Sequence, residues 1–368
     1  MIFLVDLEYV ETRYTAEWKT FVPELLRNSF DKKGLLASNV TVISGPIGIP
    51  DATTPGAFLN FGGTNIYKAA QVQRIGELFC EGKVAAGDQF IFTDAWHPGI
   101  INLKYMSSLL NIPVKIHALW HAGSYDPADF LGRLIGDAPW VRHSELAFFE
   151  CIDHNYFASD FHINMFIETL LGLDKRTGRI RHMPTKKIIR SGWPMQYIEG
   201  FQRYQSTAKE NIVLFPHRVA PEKQPEIFRD LAKEFPDYQF IVCQDQQLKK
   251  SEYHQLLGKA KMVFSCSLQE TLGISVPEGM QAGALALVPA RLSYLEMYSV
   301  NEMYDSEWTI NWQSYLEHKH KLVALIRRKL DNFAGEVAKQ SFQTRYILDN
   351  YFTANDLIKQ LYENCPNN

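Results

Sequence analysis

Residues 211–290 read NIVLFPHRVAPEKQPEIFRDLAKEFPDYQFIVCQDQQLKKSEYHQLLGKAKMVFSCSLQETLGISVPEGMQAGALALVPA. Four apolar runs punctuate the stretch: NIVLFP (211–216), YQFIVC (238–243), MVFSCS (262–267) and ALALVPA (284–290). Between them lie two segments with helical spacing, PEIFRDLAKEF (225–235) and EYHQLLGKA (252–260), and a shorter one, PEGMQAG (277–283). Apolar runs without polar alternation fit strands covered on both faces. Strands that alternate with helices pair in parallel through crossovers. The stretch therefore predicts a compact parallel α/β unit.

The same alternation fills the N-terminal half. IFLVDL (2–7), VTVIS (40–44), QFIFTDA (89–95), VKIHALW (114–120), NYFAS (155–159) and KIIRSG (187–192) are strand-like. AEWKTFVPELLRNSF (16–30), AAQVQRIGELF (69–79) and NLKYMSSLL (102–110) are helix-like. The predicted class is α/β with two Rossmann-like domains, at 1–195 and 196–335. Helices at 336–368 form an extension expected to cross back to the first domain. The polar stretch from Met195 to Glu210 is the expected linker. A length of 368 residues suits two domains, each with its own core. Open parallel sheets bind ligands outside the carboxyl ends of their strands, so two such units place the expected cleft there.

Composition narrows the class. A formal net charge of -3 rules out a polycation, so nucleic acid would need a local basic patch. The five cysteines, Cys80, Cys151, Cys243, Cys266 and Cys365, form no C-x-x-C pair. They fit a reduced cytoplasmic compartment better than a disulfide framework or a zinc site. MIFLVDLEYVE turns acidic too soon for a signal peptide, and no run of about 18 apolar residues marks a membrane span.

Two segments carry chemistry. In SLQETLGISVPEGMQAGALAL (267–287), Glu270 and Glu278 stand eight apart, with a helix start expected at Pro277. A loop entering a helix aims N–H groups and a positive dipole end at one spot, which suits a diphosphate. Flanking carboxylates can accept hydrogen bonds from sugar and ribose hydroxyls. In LFPHRVAPEKQPEIFRDLA (214–232), Arg218 and Lys223 lie between a strand and a helix, where two cations can hold phosphate. Taken singly, the first segment is equally two surface glutamates bracketing a turn, and the second a solvated basic loop.

Together, the segments resemble the large superfamily of retaining glycosyltransferases with two facing Rossmann-like domains, the GT-B type and its family 4 in particular. That superfamily carries an R-x-n-K pair after the first strand of its C-terminal domain, and an E-x7-E motif. Here the match reads E-T-L-G-I-S-V-P-E-G-M-Q-A-G, with Arg218 and Lys223 upstream. The resemblance covers residues 205–300 well and the N-terminal half in layout only. It implies that Arg218 and Lys223 stabilise the leaving diphosphate. It implies that Glu270 holds the donor sugar, helped by the amides of Thr271, Leu272 and Gly273, and that Glu278 holds the ribose. The implied donor is a nucleotide-diphosphate sugar, expected to be the uridine form. No D-x-D sequence occurs, so no metal and no separate cofactor are expected, and cationic side chains take the metal's place.

In this architecture the acceptor belongs to the N-terminal domain. FTDAWHPGI (92–100) ends a strand with Asp94, Trp96 and His97. IHALWHAGSYDPADFLGR (116–133) ends another with Trp120, His121 and Asp126. The resemblance puts a histidine near the transferred sugar, here His121; the bland alternative is a core histidine. The glycine-rich turn common after the family's first strand is absent from VDLEYVETRYTAEW (5–18), where Tyr9 and Arg13 stand instead. KRTGRIRHMPTKKIIRSGWP (175–194) is densely basic, with Lys186, Lys187 and Arg190 among its cations, and could track a phosphate backbone or be a solvated loop.

YTAEWKTFVPELL, LWHAGSYDPADFLGRLIGD and HNYFASDFHINMF also look similar to glycosyltransferases of tailed bacteriophages. That similarity implies double-stranded DNA as a partner, 5-hydroxymethylcytosine as the acceptor, and the host cytoplasm as location. Trp96, Trp120 and Trp140 could then stack on or wedge beside an extruded base, the bland alternative being simple packing. A small-molecule, lipid or polysaccharide acceptor and a non-catalytic binding module remain as alternatives. The mixed charge of AEWKTFVPELLRNSF weighs against a membrane acceptor.

Overall fold

A computed structural model describes residues 1–31, 39–48, 59–136 and 138–365. The chain divides into two compact units, Met1–Pro194 with Ala354–Asn368, and Met195–Thr353.

The first unit carries a six-stranded sheet. Its strands are β1 (Ile2–Val5), β2 (Val40–Ile43), β3 (Gln89–Phe92), β4 (Lys115–Trp120), β5 (His154–Phe157) and β8 (Lys187–Arg190). A short antiparallel pair, β6 (Leu173–Asp174) and β7 (Arg179–Ile180), stands apart. The sheet order is β2-β1-β3-β4-β5-β8, and every pairing is parallel. β1 and β3 are buried along their whole length, which is why they read as unbroken apolar runs. Phe90, Phe92, Ile116, Trp120, Phe149, Phe157 and Phe166 form the heart of the core. Side-chain caps start the flanking helices: Asn60 Oδ1 accepts from Gly63 N at 2.8 Å, and Asp129 Oδ2 from Leu131 N at 2.9 Å.

The second unit carries β9 (Ile212–Phe215), β10 (Gln239–Val242), β11 (Met262–Phe264), β12 (Leu285–Pro289) and β13 (Met303–Tyr304), in the order β10-β9-β11-β12-β13. These strands too are parallel. Helices Trp312–Asp331 and Phe333–Tyr351 follow. Gln340 ties the latter to the sheet, accepting from Ala286 N at 2.7 Å and donating to Ala284 O at 2.8 Å. That helix therefore stays in the second unit. Only the chain from Ala354 on, with helix Asn355–Glu363, belongs to the first, where Gln89 Nε2 donates to Leu361 O at 2.9 Å.

Two local expectations need correction. Residues 196–204 form a 3-10 run with Ile198 and Phe201 buried, so the supposed linker is a packed part of the second unit. The short helix spans Ser275–Gln281, which places Pro277 inside its first turn rather than at its start. Among the described residues, no helix is long and apolar enough to cross a membrane.

Candidate functional site

In the second unit β9 lies between β10 and β11, so successive crossovers leave it in opposite directions. Ligands of open parallel sheets bind at such a switch point. The loops that follow β9 and β11 meet there and are stitched together. Leu268 N donates to Glu222 O at 2.7 Å. Gln224, in the left-handed region at φ 54°, spans from the first loop to Cys266 O at 2.6 Å and Thr309 O at 2.8 Å. The buried Arg291 donates to Ser267 O and Cys266 O, each at 2.7 Å. These bonds give an irregular loop the fixed backbone that a binding site needs.

Lys223 and Glu270 meet in this frame, with Lys223 Nζ 2.7 Å from Glu270 Oε1. Lys223 also donates to Gln269 O. His217 Nδ1 lies 3.5 Å from the same carboxylate oxygen. Burial pushes the Glu270 carboxyl up, but the charge of Lys223 leads the interactions that outweigh it and hold it below the usual carboxylate range. Lys223 thus fixes Oε1, with the His217 ring beside it. Burial lowers His217 to about 4, so its ring is neutral at pH 7, and its Nε2 is buried without a hydrogen-bond partner among the described residues. Arg218 pairs with the buried Glu222 four residues on. Lys223 and Glu270 therefore meet, with Arg218 on the loop that carries Lys223. His217, Glu222 and Arg291 were not singled out, although His217 adjoins Arg218 in sequence.

Downstream, Gly273 has φ 75° and sits against Tyr294; a Cβ there would lie 3.0 Å from the ring. Glycine is the residue that meets both demands. Thr271 and Leu272 are buried beside it. Glu278 stands on helix Ser275–Gln281 and accepts from Tyr253 OH at 3.0 Å. Tyr253 is a further partner that spacing alone does not reveal. Gly279 faces β11 so closely that a Cβ would meet Val263 Cγ2 at 2.1 Å.

In the first unit, His121 lies at the carboxyl end of β4. Its Nε2 is 2.6 Å from Thr93 O and its Nδ1 2.7 Å from Tyr14 OH. A carbonyl only accepts, so Nε2 carries the proton and Nδ1 accepts from the tyrosine. Burial lowers its pKa further, giving a neutral ring held in one tautomer. Asp94 pairs with Lys68 at 2.7 Å and accepts from Trp96 N at 3.0 Å. Trp96 is half-buried and donates to Glu145 Oε1 at 2.8 Å.

Three expected acceptor contacts are occupied inside the protein. His97 is buried, accepts from Gly99 N at the start of helix Gly99–Leu109 and donates to Gln71 Oε1, both at 2.9 Å. Trp120 is fully buried, donates to Asn155 Oδ1 at 2.8 Å and stacks on Phe157. It offers no face to a base. Asp126 is buried and accepts from Ala128 N in a tight turn. Of the three tryptophans, Trp140 alone is exposed.

The basic segment is split. Side chains alternate across a strand, so Lys187 points to the face opposite Arg190. Lys187 donates to Gln360 at 3.2 Å, whereas Lys186 and Arg190 lie 3.4 and 3.7 Å from Asp153 and Asp160. Lys175 pairs with Glu168 at 2.9 Å.

No family model matches the chain, and no curated protein matches it in sequence. Solved structures do match in fold. A sucrose-phosphate synthase from Thermosynechococcus elongatus aligns over 98% of this chain and 97% of its own, with TM-score 0.60 and 12% identity. Anabaena HepE, solved in complex with UDP, aligns over 98% of both chains with TM-score 0.55 and 12% identity. A UDP-forming trehalose-phosphate synthase from Burkholderia vietnamiensis covers 80% of this chain and 76% of its own, with TM-score 0.52 and 10% identity. The chain thus has the GT-B fold: two parallel-sheet α/β units and a helical C-terminal region.

Proposed function

We propose that the chain is a retaining, metal-independent glycosyltransferase that moves a sugar from a nucleotide-diphosphate donor, in its uridine form, to an acceptor hydroxyl. The observation that carries this is the meeting of Lys223 and Glu270 at the β9 switch point, with Arg218 on the same loop. Each cation is matched by a carboxylate, Lys223 by Glu270 and Arg218 by Glu222. A diphosphate brings more charge than either carboxylate and competes for both cations. As the C1–O bond breaks, charge builds on the departing phosphate, and fixed cations lower the barrier there. With Oε1 of Glu270 held by Lys223, its Oε2 is the oxygen available for a sugar hydroxyl. Glu278, steadied by Tyr253, takes the ribose. The acceptor O–H adds to C1 on the face the phosphate leaves, and its proton passes to the leaving phosphate. No separate base is then required, in keeping with an His121 whose two nitrogens are already engaged. Support for a uridine donor comes also from two fold neighbours, HepE solved in complex with UDP and a trehalose-phosphate synthase named as UDP-forming.

For the acceptor, 5-hydroxymethylcytosine in DNA has the exposed cations around 175–187 in its favour. Against it stand the buried Trp120 and a basic segment divided between two sheet faces and paired with Glu168, Asp153 and Asp160. These observations favour the alternative, a smaller hydroxylated acceptor. The test is a donor panel of nucleotide sugars by calorimetry, followed by NMR of the product's anomeric proton with and without EDTA. Donor binding, retained configuration and EDTA-insensitive turnover are expected. Inversion or strict dependence on a divalent ion would sink the mechanism, and sugar transfer to hydroxymethylated DNA would restore the nucleic-acid acceptor.

A further inference from the structure

At the carboxyl end of the first unit's sheet, four side chains bury hydrogen-bonding atoms that have no hydrogen-bond partner among the described residues. They are both carboxylate oxygens of Glu8, Oγ1 of Thr15, and the indole Nε1 of Trp18 and of Trp193. Glu8 lies three residues past β1, the strand flanked by β2 and β3 at this sheet's switch point. Thr15 and Trp18 open the next helix, and Trp193 follows β8. Tyr14 joins them: its ring is 5.1 Å from that of Trp18 and 5.5 Å from that of Trp193. The two indoles are 5.8 Å apart, and His121 is 4.3 Å from Trp193. The charge of Glu8 reaches the same place, adding to the burial that keeps the Tyr14 hydroxyl protonated.

The neighbouring carboxylates are satisfied: Asp6 by Lys19 at 2.6 Å and Asp94 by Lys68 at 2.7 Å. Glu8 is the exception. A buried carboxylate without partners is unfavourable, and buried indole N–H groups normally find an acceptor. This end of the sheet thus offers a complementary set: two indole N–H donors within one ring cluster, the hydroxyl of Thr15 beside Tyr14 in sequence, and the Glu8 carboxylate, whose charge acts on Tyr14. It wants a molecule with hydroxyl donors for Glu8, oxygen acceptors for the indoles, and C–H surface for the rings. A phosphate would set like charge against Glu8. A planar base would need a flat slot, yet the Trp18–Trp193 and Tyr14–Trp18 rings meet edge-on at 71° and 72°.

We propose that Glu8, Thr15, Trp18 and Trp193 form the acceptor subsite, and that the acceptor is a neutral polyhydroxylated molecule of the sugar or polyol class. The word acceptor rests on the glycosyltransferase reading; the ligand class rests on these four side chains alone. Hydroxyls of the ligand donate to Glu8, and its oxygens accept from the two indoles.

The test uses the full chain labelled with 5-fluorotryptophan, observed by fluorine NMR. The probes are D-glucose, N-acetylglucosamine, myo-inositol and 5-hydroxymethyl-2′-deoxycytidine 5′-monophosphate, with UDP binding measured on each preparation by calorimetry. Trp193→Phe assigns its resonance. At least one neutral probe is expected to shift the Trp18 and Trp193 signals of the unaltered protein. Glu8→Gln, which keeps the shape, should weaken that binding about tenfold, the worth of one buried hydrogen bond to a charged group. UDP affinity should not change. The subsite is overturned if no neutral probe moves either signal, if Glu8→Gln leaves binding unchanged, or if only the nucleotide binds and Glu8→Gln tightens it. Should Glu8→Gln fail to fold, the shifts in the unaltered protein decide. Loss of UDP binding with sugar binding intact would strike the glycosyltransferase reading and leave the subsite standing.

Discussion

Lys223 and Glu270 are 47 positions apart, yet a single oxygen joins them. Their union depends on strand order, since β9 and β11 are neighbours although β10 intervenes in sequence. Residue spacing could therefore mark both groups but not pair them. The pairing has an energetic consequence. Removing either partner leaves the other ion buried, so each single variant loses more than a contact. Lys223→Ala should lower kcat about 10²-fold, as expected for one lost electrostatic stabiliser of a developing charge. Glu270→Gln should be similarly impaired. Because the two act as a unit, the double variant should be little worse than the poorer single one. Steady-state kinetics on the four proteins checks this; losses that simply multiply would show that the two groups act independently.

Helix Ser275–Gln281 is short, has no side-chain cap at its start, and still places Glu278. Packing holds it. Gly279 lets it settle on β11, where any side chain would run into Val263. On the other side, Gln205 Nε2 donates to Gln281 O at 3.0 Å, and Gln281 Nε2 to Glu199 O at 3.2 Å. Residues 199–205 of the expected linker thus support this helix. Gly279→Ala should push the helix outward, costing about 1–3 kcal/mol of stability by overpacking and weakening nucleotide binding through Glu278. A thermal melt with calorimetric titration of UDP reads both effects. An unchanged affinity would mean that the helix does not position Glu278 for the ligand. This element also shows where sequence reading runs out. The E-x7-E spacing and the glycines were legible, because each residue type answers a local demand. The helix boundary and its support were not, because they depend on a segment 76 to 82 positions earlier. For the same reason the buried strands could be read from their unbroken apolar runs, while two-residue β13 left no pattern.

At the scale of the whole molecule, seven histidines among the described residues have their pKa lowered chiefly by burial. Burial holds His97 and His162 at about 3, and His154, His217 and His254 at about 4; His117 and His121 are also lowered. Strand-end histidines such as His97 and Trp120 beside His121 looked like cleft residues in the sequence because alternation alone does not say which side of a strand end faces inward. The structure turns most of them into neutral, desolvated groups. The sign of their effect on stability follows from that. Above about pH 6.5 the histidines are neutral in both folded and unfolded chains and cost nothing. As the pH falls from there towards 4, the unfolded chain takes up protons that the folded chain refuses, so stability is lost through this window. Five of the seven belong to the first unit and only His217 and His254 to the second. His154 is the sharpest case: neither ring nitrogen has a hydrogen-bond partner among the described residues, its ring stacks on His117 at 4.5 Å, and the charge of Lys187 reinforces its burial. We therefore expect melting to separate into two transitions as the pH is lowered from 7 to 5, with the first unit leaving first. His154→Phe keeps the stacked ring and removes the proton site, so it should flatten the pH dependence of that first transition while leaving the second where it was. Differential scanning calorimetry across the range decides the matter. A melting temperature that stays level between pH 7 and 5, or an equal fall in both transitions, would show that the buried histidines do not govern the acid response.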